Sequence, residues 1–179
     1  YHLYTYGPLG NIPDGTIIRD GNEILPESQI FAYKTDLGKG SYSAFSNYFR
    51  YQLLLERGGW WVDTDVVCLR SQYPVSINGW PIIATERQQG SVEPHVATCV
   101  IYSPAGHKIM QFCCEEANKK DRTKIVWGEV GPRLLSEAMK VALGAKIILP
   151  PKAFCPIDWY NVEDLFDPEQ SFDRIAHSY

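Results

Sequence analysis

Two aspartates, Asp63 and Asp65, interrupt the apolar run Trp60-Trp61-Val62-Asp63-Thr64-Asp65-Val66-Val67. In an extended strand, residues i and i+2 point to the same side, so both carboxylates face one cavity while Thr64 turns away. Two like charges held this close repel unless a proton, a metal ion or an arginine intervenes. All-oxygen ligation suits Mg²⁺ or Mn²⁺. A hard ion held by few carboxylates completes its shell with water and phosphate oxygens, which points towards a diphosphate ligand. A D-x-D triplet by itself reads as a solvated strand end. Between apolar neighbours on both sides, however, unpartnered carboxylates would be costly to bury, and that context favours a functional site.

The segment before the pair must position it. Asn47, Arg50, Tyr51 and Leu54 recur at three- and four-residue spacing and share one helix face, while Phe45, Tyr48, Phe49 and Leu53 lie largely elsewhere and can face the core. Gly58-Gly59 ends the helix, the first glycine suiting a left-handed cap, and the chain reverses directly into Trp60-Trp61-Val62. So short a turn brings the amide of Asn47 and the guanidinium of Arg50 towards whatever the aspartates hold.

The pattern S-N-Y-F-R-Y-x-L-L-x-x-x-G-G-W-W-V-D-T-D, spanning Ser46 to Asp65, closely resembles the sugar-binding DXD region of glycosyltransferases related to initiation-type mannosyltransferases, α-1,4-galactosyltransferases and the glucosylating clostridial toxins. The resemblance implies a GT-A fold, transfer from a nucleoside-diphosphate sugar with retention of anomeric configuration, and Mn²⁺ (or Mg²⁺) as cofactor. It implies Asp65 and Asp63 as metal ligands and catalytic through the metal, and Asn47, Arg50, Asp63 and Asp65 as nucleotide-sugar contacts. Arg50 falls on the family's helix arginine. Asn47 stands where many members carry aspartate; its amide still bonds hydroxyls but lacks the charge. Looser likeness continues through Ile83-Ala84-Thr85-Glu86, through Val100 to His107, and through Trp127-Gly128-Glu129-Val130-Gly131-Pro132, which resembles a segment before a helix facing the acceptor and makes Glu129 an acceptor-side candidate. Phe154 to Ile157 and Ala176 to Tyr179 resemble the lead into a terminal histidine-and-tryptophan motif that this sequence does not contain. On this likeness the 179 residues are expected to be one glycosyltransferase domain from a longer chain, incomplete at both ends.

Composition is that of an ordinary globular domain. At 179 residues and 45% hydrophobic, the chain can bury one sizeable core. No apolar run reaches bilayer length, and Tyr1 to Tyr6 alternate like a strand without a signal peptide's charged start and cleavage site. Net charge is −4 with the signs interspersed, so nucleic acid is not an expected partner. Five cysteines without C-x-x-C spacing suggest neither a zinc site nor a full disulfide framework, and Cys113-Cys114 read as small buried hydrophobes. A reducing compartment fits best. The expected location is the cytoplasm, peripheral to a membrane or not, or the Golgi lumen if the parent chain is eukaryotic with an anchor elsewhere.

Strand patterns occur at 1–6, 16–19, 59–68, 80–85, 96–102 and 145–149, and helix patterns at 41–57, 104–119 and 132–143. Pro104 and Pro132 each suit a first helical position, and Leu134, Leu135, Ala138, Met139 and Ala142 form an inward stripe closed by Gly144. Interleaved strands and helices give an α/β fold, and the resemblance sharpens this to a GT-A-like mixed, mainly parallel sheet flanked by helices, the DXD strand ending at the donor cleft. Trp60 and Trp61 alternate faces, so at most one reaches that cleft. His95 and His107 have no partner at metal-ligand spacing, and His177 gains interest only from the resemblance.

The reading that follows is a hexosyltransferase of glycan or polysaccharide biosynthesis, moving a sugar from a nucleoside-diphosphate donor to a hydroxyl of a saccharide or other acceptor. Two alternatives remain open. The run W-V-D-T-D-V-V also fits a haloacid-dehalogenase-type phosphatase with Asp63 as nucleophile and Asp65 as general acid; that chemistry requires a late acidic pair, for which Asp164 and Asp167 are the candidates. A non-catalytic sugar-binding homologue would use the same residues without turnover.

Overall fold

The computed structural model describes residues 1–34, 37–74, 76–142, 144–169, 171, 175, 178 and 179. Strands β1 (His2–Thr5) and β2 (Ile17–Asp20) pair in parallel as a separate two-stranded sheet. Helix α1 (Ser43–Arg57) leads through Gly58 into β3 (Gly59–Val62). Strands β4 (Ile82–Glu86) and β5 (His95–Ser103), helices α2 (Lys108–Asn118) and α3 (Pro132–Val141), the two-residue β6 (Ile147–Ile148) and the short α4 (Pro151–Phe154) follow. A 3₁₀ segment, Trp159–Phe166, lies near the C-terminus. The fold is mixed α/β, as expected.

The larger sheet runs β3-β5-β4-β6. β5 is antiparallel to both neighbours, and only β6 joins β4 in parallel. The expectation of a mainly parallel sheet is therefore corrected. The short 87–94 connection between β4 and β5 reverses the chain within the sheet, where a parallel pair would need a crossover.

Helix α1 is buried on more than one side. Tyr48, Tyr51 and Leu54 join Ile109, Met110 and Cys113 of α2, Leu134, Leu135 and Ala138 of α3, and Ile83 and Ile101 of the sheet. Phe45 and Phe49 pack instead with Ile24 and against Tyr4 and Tyr6. A third cluster, Ala84, Ala97 and Val100 with Trp60, Val62 and Phe154, covers the sheet's other face. Neighbours Val100 and Ile101 thus serve opposite faces, as strand alternation requires. Cys113 and Cys114 are buried, and the inward stripe of α3 is buried at Leu134, Leu135, Ala138 and Met139. Residue 143, the last of that expected helix, lies outside the described residues, as do Ala176 and His177.

Two boundaries differ from expectation for local reasons. Pro104 does not open α2: Gly106 donates to Leu55 O at 2.7 Å, and His107 caps the helix by accepting the Ile109 amide at 3.2 Å. Residues 104–106 instead stitch the sheet to the end of α1. Gly58 does have positive φ (64°), but its ψ of −166° is extended rather than left-handed helical. A Cβ there would also sit 2.5 Å from the Ala105 amide nitrogen. Both the dihedral and the contact demand glycine, which makes the α1–β3 reversal sharp. Gly58→Ala is expected to destabilise the fold by about 2–3 kcal/mol, read by urea denaturation; a loss below about 0.5 kcal/mol would show that the turn relaxes freely.

Candidate functional site

The reversal at Gly58 sets β3 against α1, so that Asp63, one residue beyond the strand, meets Arg50. Arg50 Nη2 donates to Asp63 Oδ1 at 2.8 Å, and Trp61 Nε1 donates to the same oxygen at 2.5 Å. Arg50 Nη1 donates to Asn47 Oδ1 at 2.8 Å, and Asn47 Nδ2 in turn donates to Ser43 O at 2.9 Å. The guanidinium carbon lies 4.8 Å from the Trp61 ring centroid, a cation–π contact. Arg50 is 4% exposed, and its Nε is a buried donor without a partner. Asn47 also touches α3: a Cβ on Gly131 would sit 2.9 Å from Asn47 Nδ2.

The carboxylates do not share a strand face. β3 stops at Val62, the Asp63 amide donates to Cys99 O at 2.8 Å, and the Val66 amide donates back to Asp63 O at 3.2 Å. Residues 63–66 therefore form a turn, and the strand expected to run to 68 ends six residues early. The cause is the partner strand: Val62 already pairs with Val100, and beyond Cys99 the ladder to β5 is lost. Asp63 is held inward at 29% side-chain exposure, while Asp65 is exposed.

Burial pushes the Asp63 carboxyl above its ordinary range, and Asp65 adds to the rise; the Arg50 guanidinium and Trp61 indole pull the other way without cancelling it. Burial likewise lowers Arg50, offset in part by Asp63. Two hydrogen bonds and an ion pair would ordinarily depress a carboxylate, so an upward net shift marks an aspartate whose negative charge is incompletely compensated by the protein alone. Its Oδ2 receives no protein donor among the described residues. Among those residues no group of three or more His, Cys, Asp or Glu side chains converges.

Two clefts meet here, and Ser43, Arg50 and Asp63 line both. One, about 950 Å³, carries Asp65, Tyr4, Tyr73, Trp60 and Trp61. Trp60 and Trp61 do alternate, Trp61 towards α1 and Trp60 towards Phe154, yet both reach this cleft, which corrects the expectation of one at most. The other, about 840 Å³, adds Asn47, Glu86, Gln88, His95, Trp127 and Arg133. Gln88 Nε2 donates to Glu86 Oε1 at 2.7 Å, and burial raises the Glu86 carboxyl.

Residues 14–87 match the family model of the glycosyltransferase sugar-binding region containing DXD motif. The matched stretch holds Asn47, Arg50, Asp63 and Asp65 together, and it supports the family that those residues resemble. No curated protein matches the chain. Glycosyl transfer is the activity this region suggests. No helix among the described residues is long and apolar enough to cross a membrane.

The remaining candidates are placed as follows. Glu129 does not line either cleft; it pairs with Lys120 Nζ at 2.9 Å and accepts the Val126 amide at 3.1 Å, which lowers its pKa. The late acidic pair invoked for a phosphatase lies on and just after the 3₁₀ segment, Asp164 within it and Asp167 as its cap, not at a strand end. The bond from Trp61 to Asp63 and the presence of Glu86 and Trp127 at the site were missed from sequence. Trp61 was findable, since it stands at i−2 from Asp63 in an extended run; the other two reach the site only through tertiary packing.

Arg50→Met keeps most of the volume and removes the charge. At pH 7 it is expected to cost about 3 kcal/mol, the lower end for a broken buried pair, because Asp63 keeps 29% of its side chain exposed. The loss should shrink at lower pH: without the guanidinium the folded-state pKa of Asp63 rises further above its unfolded value, and a carboxyl raised in this way stabilises the fold as it takes up a proton. Urea denaturation at both pH values checks this, and equal losses would place the cost in packing.

Proposed function

We propose that the chain is a metal-dependent glycosyltransferase of the GT-A type, which binds a nucleoside-diphosphate sugar over Asp63 and Asp65 and passes the sugar, with retention, to a hydroxyl acceptor. The observation that carries this reading is the position of the Arg50–Asp63 pair at the junction of two clefts, as transfer between two substrates demands.

The cleft bearing Asp65 suits the donor, its aromatic side chains offering faces for a base and its carboxylates a place for the cation. Asp63 and Asp65 would hold Mn²⁺ or Mg²⁺, whose charge stabilises the departing diphosphate. Arg50 holds Asp63 in place and, as part of the wall of both clefts, brings its positive charge close to phosphate or sugar. Asn47, whose Nδ2 donates to Ser43 O and whose Oδ1 accepts from Arg50, fixes the guanidinium from the side of the second cleft, which it lines. The acceptor oxygen bonds to the anomeric carbon as the bond from that carbon to the diphosphate oxygen breaks, and the acceptor proton passes to the leaving phosphate. No protein nucleophile or general base is assigned.

The second cleft suits a saccharide acceptor. Trp127 is 43% exposed and braced by Tyr33 at 5.3 Å between ring centroids, a platform for the apolar face of a sugar ring. Glu86, oriented by Gln88, offers an acceptor for hydroxyl hydrogens. Glu129 then acts on the acceptor side indirectly, its bonds to Lys120 and Val126 shaping the turn that presents Trp127.

Asp65→Asn removes a charged ligand from an exposed turn and little volume. It should lower Mn²⁺-dependent transfer at least a hundredfold with an unchanged circular dichroism spectrum, assayed against a panel of nucleotide sugars; wild-type transfer that survives complete chelation would refute the metal-dependent scheme. Trp127→Ala should raise the acceptor KM about tenfold and leave donor binding intact. Steady-state kinetics with either substrate varied separates the two, and a donor-side defect would reverse the assignment of the clefts.

A further inference from the structure

Cys99 and Cys155 are 56 residues apart in sequence, yet their sulfurs lie 3.6 Å from one another. Both are half-buried on the sheet face away from α1, packed against Ala84, Ala97 and Val100. Cys99 belongs to β5, a strand paired on both sides. Cys155 closes the short helix α4, its amide donating to Pro151 O at 2.7 Å. The other thiols are placed differently: Cys113 and Cys114 are buried on α2, and exposed Cys68 contacts Arg70 O at 2.9 Å.

We propose that Cys99 and Cys155 form a thiol–disulfide exchange site that a small-molecule disulfide of the glutathione class oxidises to an intramolecular bridge. Bringing the sulfurs from contact to bonding distance, about 2.05 Å, needs a movement of about 1.5 Å. The one-turn α4 segment can supply that shift more readily than the paired strand. The two thiols also differ in a way that suits exchange. Cys155 sits on that one-turn segment beside the Arg87 guanidinium, whereas Cys99 is fixed in the doubly paired strand. Arg87 is itself tied to this segment through Pro156 O at 3.0 Å and Asp158 at 2.6 Å.

Cys155 is therefore the attacking thiolate. It bonds to one sulfur of the reagent, the reagent's disulfide breaks, and one thiolate leaves and takes up a proton. Cys99 then loses its proton to solvent and attacks the Cys155 sulfur, the mixed disulfide breaks, and the second reagent thiolate leaves and is protonated. Two protein thiols are oxidised by two electrons, and one disulfide is reduced to two thiols. The bridge would staple α4 to β5, the strand whose Cys99 carbonyl receives the Asp63 amide. Neither cysteine lines either cleft, so substrate access stays open.

The test is incubation of the chain in glutathione buffers of rising oxidation, followed by non-reducing peptide mapping and thermal melting. The expected result is one Cys99–Cys155 cross-linked peptide, loss of two of the five free thiols, and a rise in Tm of about 5–10 °C that a reducing agent reverses. Cys155→Ser should abolish cross-link and Tm rise, and Cys68→Ser should leave both. A bridge through Cys68, Cys113 or Cys114, a mixed disulfide that persists on Cys155, or a cross-link without a Tm rise would overturn the proposal. Should Cys155→Ser fold poorly, alkylation of the reduced wild-type chain decides: selective labelling of Cys155 that prevents the bridge supports it, and indifference of the bridge to that label refutes it.

Discussion

A guanidinium that is 4% exposed and a carboxylate raised by burial hold the centre of this molecule together. Taking Arg50 out of water is costly, and Asp63 repays the cost only in part. Asn47 and Trp61 close most of the remaining gap, one through its amide oxygen and the other through its ring face and its N–H. The glycine reversal at Gly58, the early end of β3 and the burial of the polar face of α1 together bring these side chains into contact. A fold selected for stability alone would place an apolar cluster here. What the ion pair adds is an aspartate of defined orientation whose second oxygen stays open to the cleft.

That arrangement ties the electrostatics of the site to its shape. Arg50 and Asp63 form part of the wall of both clefts, so a ligand in either one alters the environment of the same charges. The donor set is economical, with one carboxylate braced inside and another exposed on the following turn. In the proposed function such a pair would hold a hard cation loosely in the absence of phosphate oxygens. Metal and nucleotide are then expected to bind cooperatively, each completing the other's coordination.

Several elements were legible in the sequence. The three-and-four spacing of Asn47, Arg50, Tyr51 and Leu54 gave α1 and its polar face, and all four residues are buried. Pro132 at the start of α3 and the alternation of Trp60 and Trp61 were read from local rules that hold in the structure, and the Gly-Gly reversal was placed correctly although Gly58 is extended at positive φ and not a left-handed helical cap. The failures share one origin. The strand through Asp65, the helix start at Pro104 and the mainly parallel sheet were all extended from local pattern, and the folded chain decided otherwise: the ladder to β5 ends after Cys99 and the Val66 amide turns back to Asp63 O, Gly106 donates to Leu55, and β5 pairs antiparallel with both its neighbours.

The sequence by itself determined the chemistry: which side chains carry charge, that an arginine and two aspartates flank one short reversal, and that the reversal needs glycine. Residue type and spacing suffice for this, because helix and strand periods convert them into faces. Only the tertiary structure decided how those faces meet. It placed Asp65 on a turn rather than a strand, buried Asp63 deeply enough to raise its carboxyl in spite of Arg50, and brought Glu86 and Trp127 to a second cleft that shares its wall with the first. Burial and cleft shape depend on contacts between residues far apart in the chain, and those contacts are set by the packing of α1 between sheet and helices rather than by any local pattern.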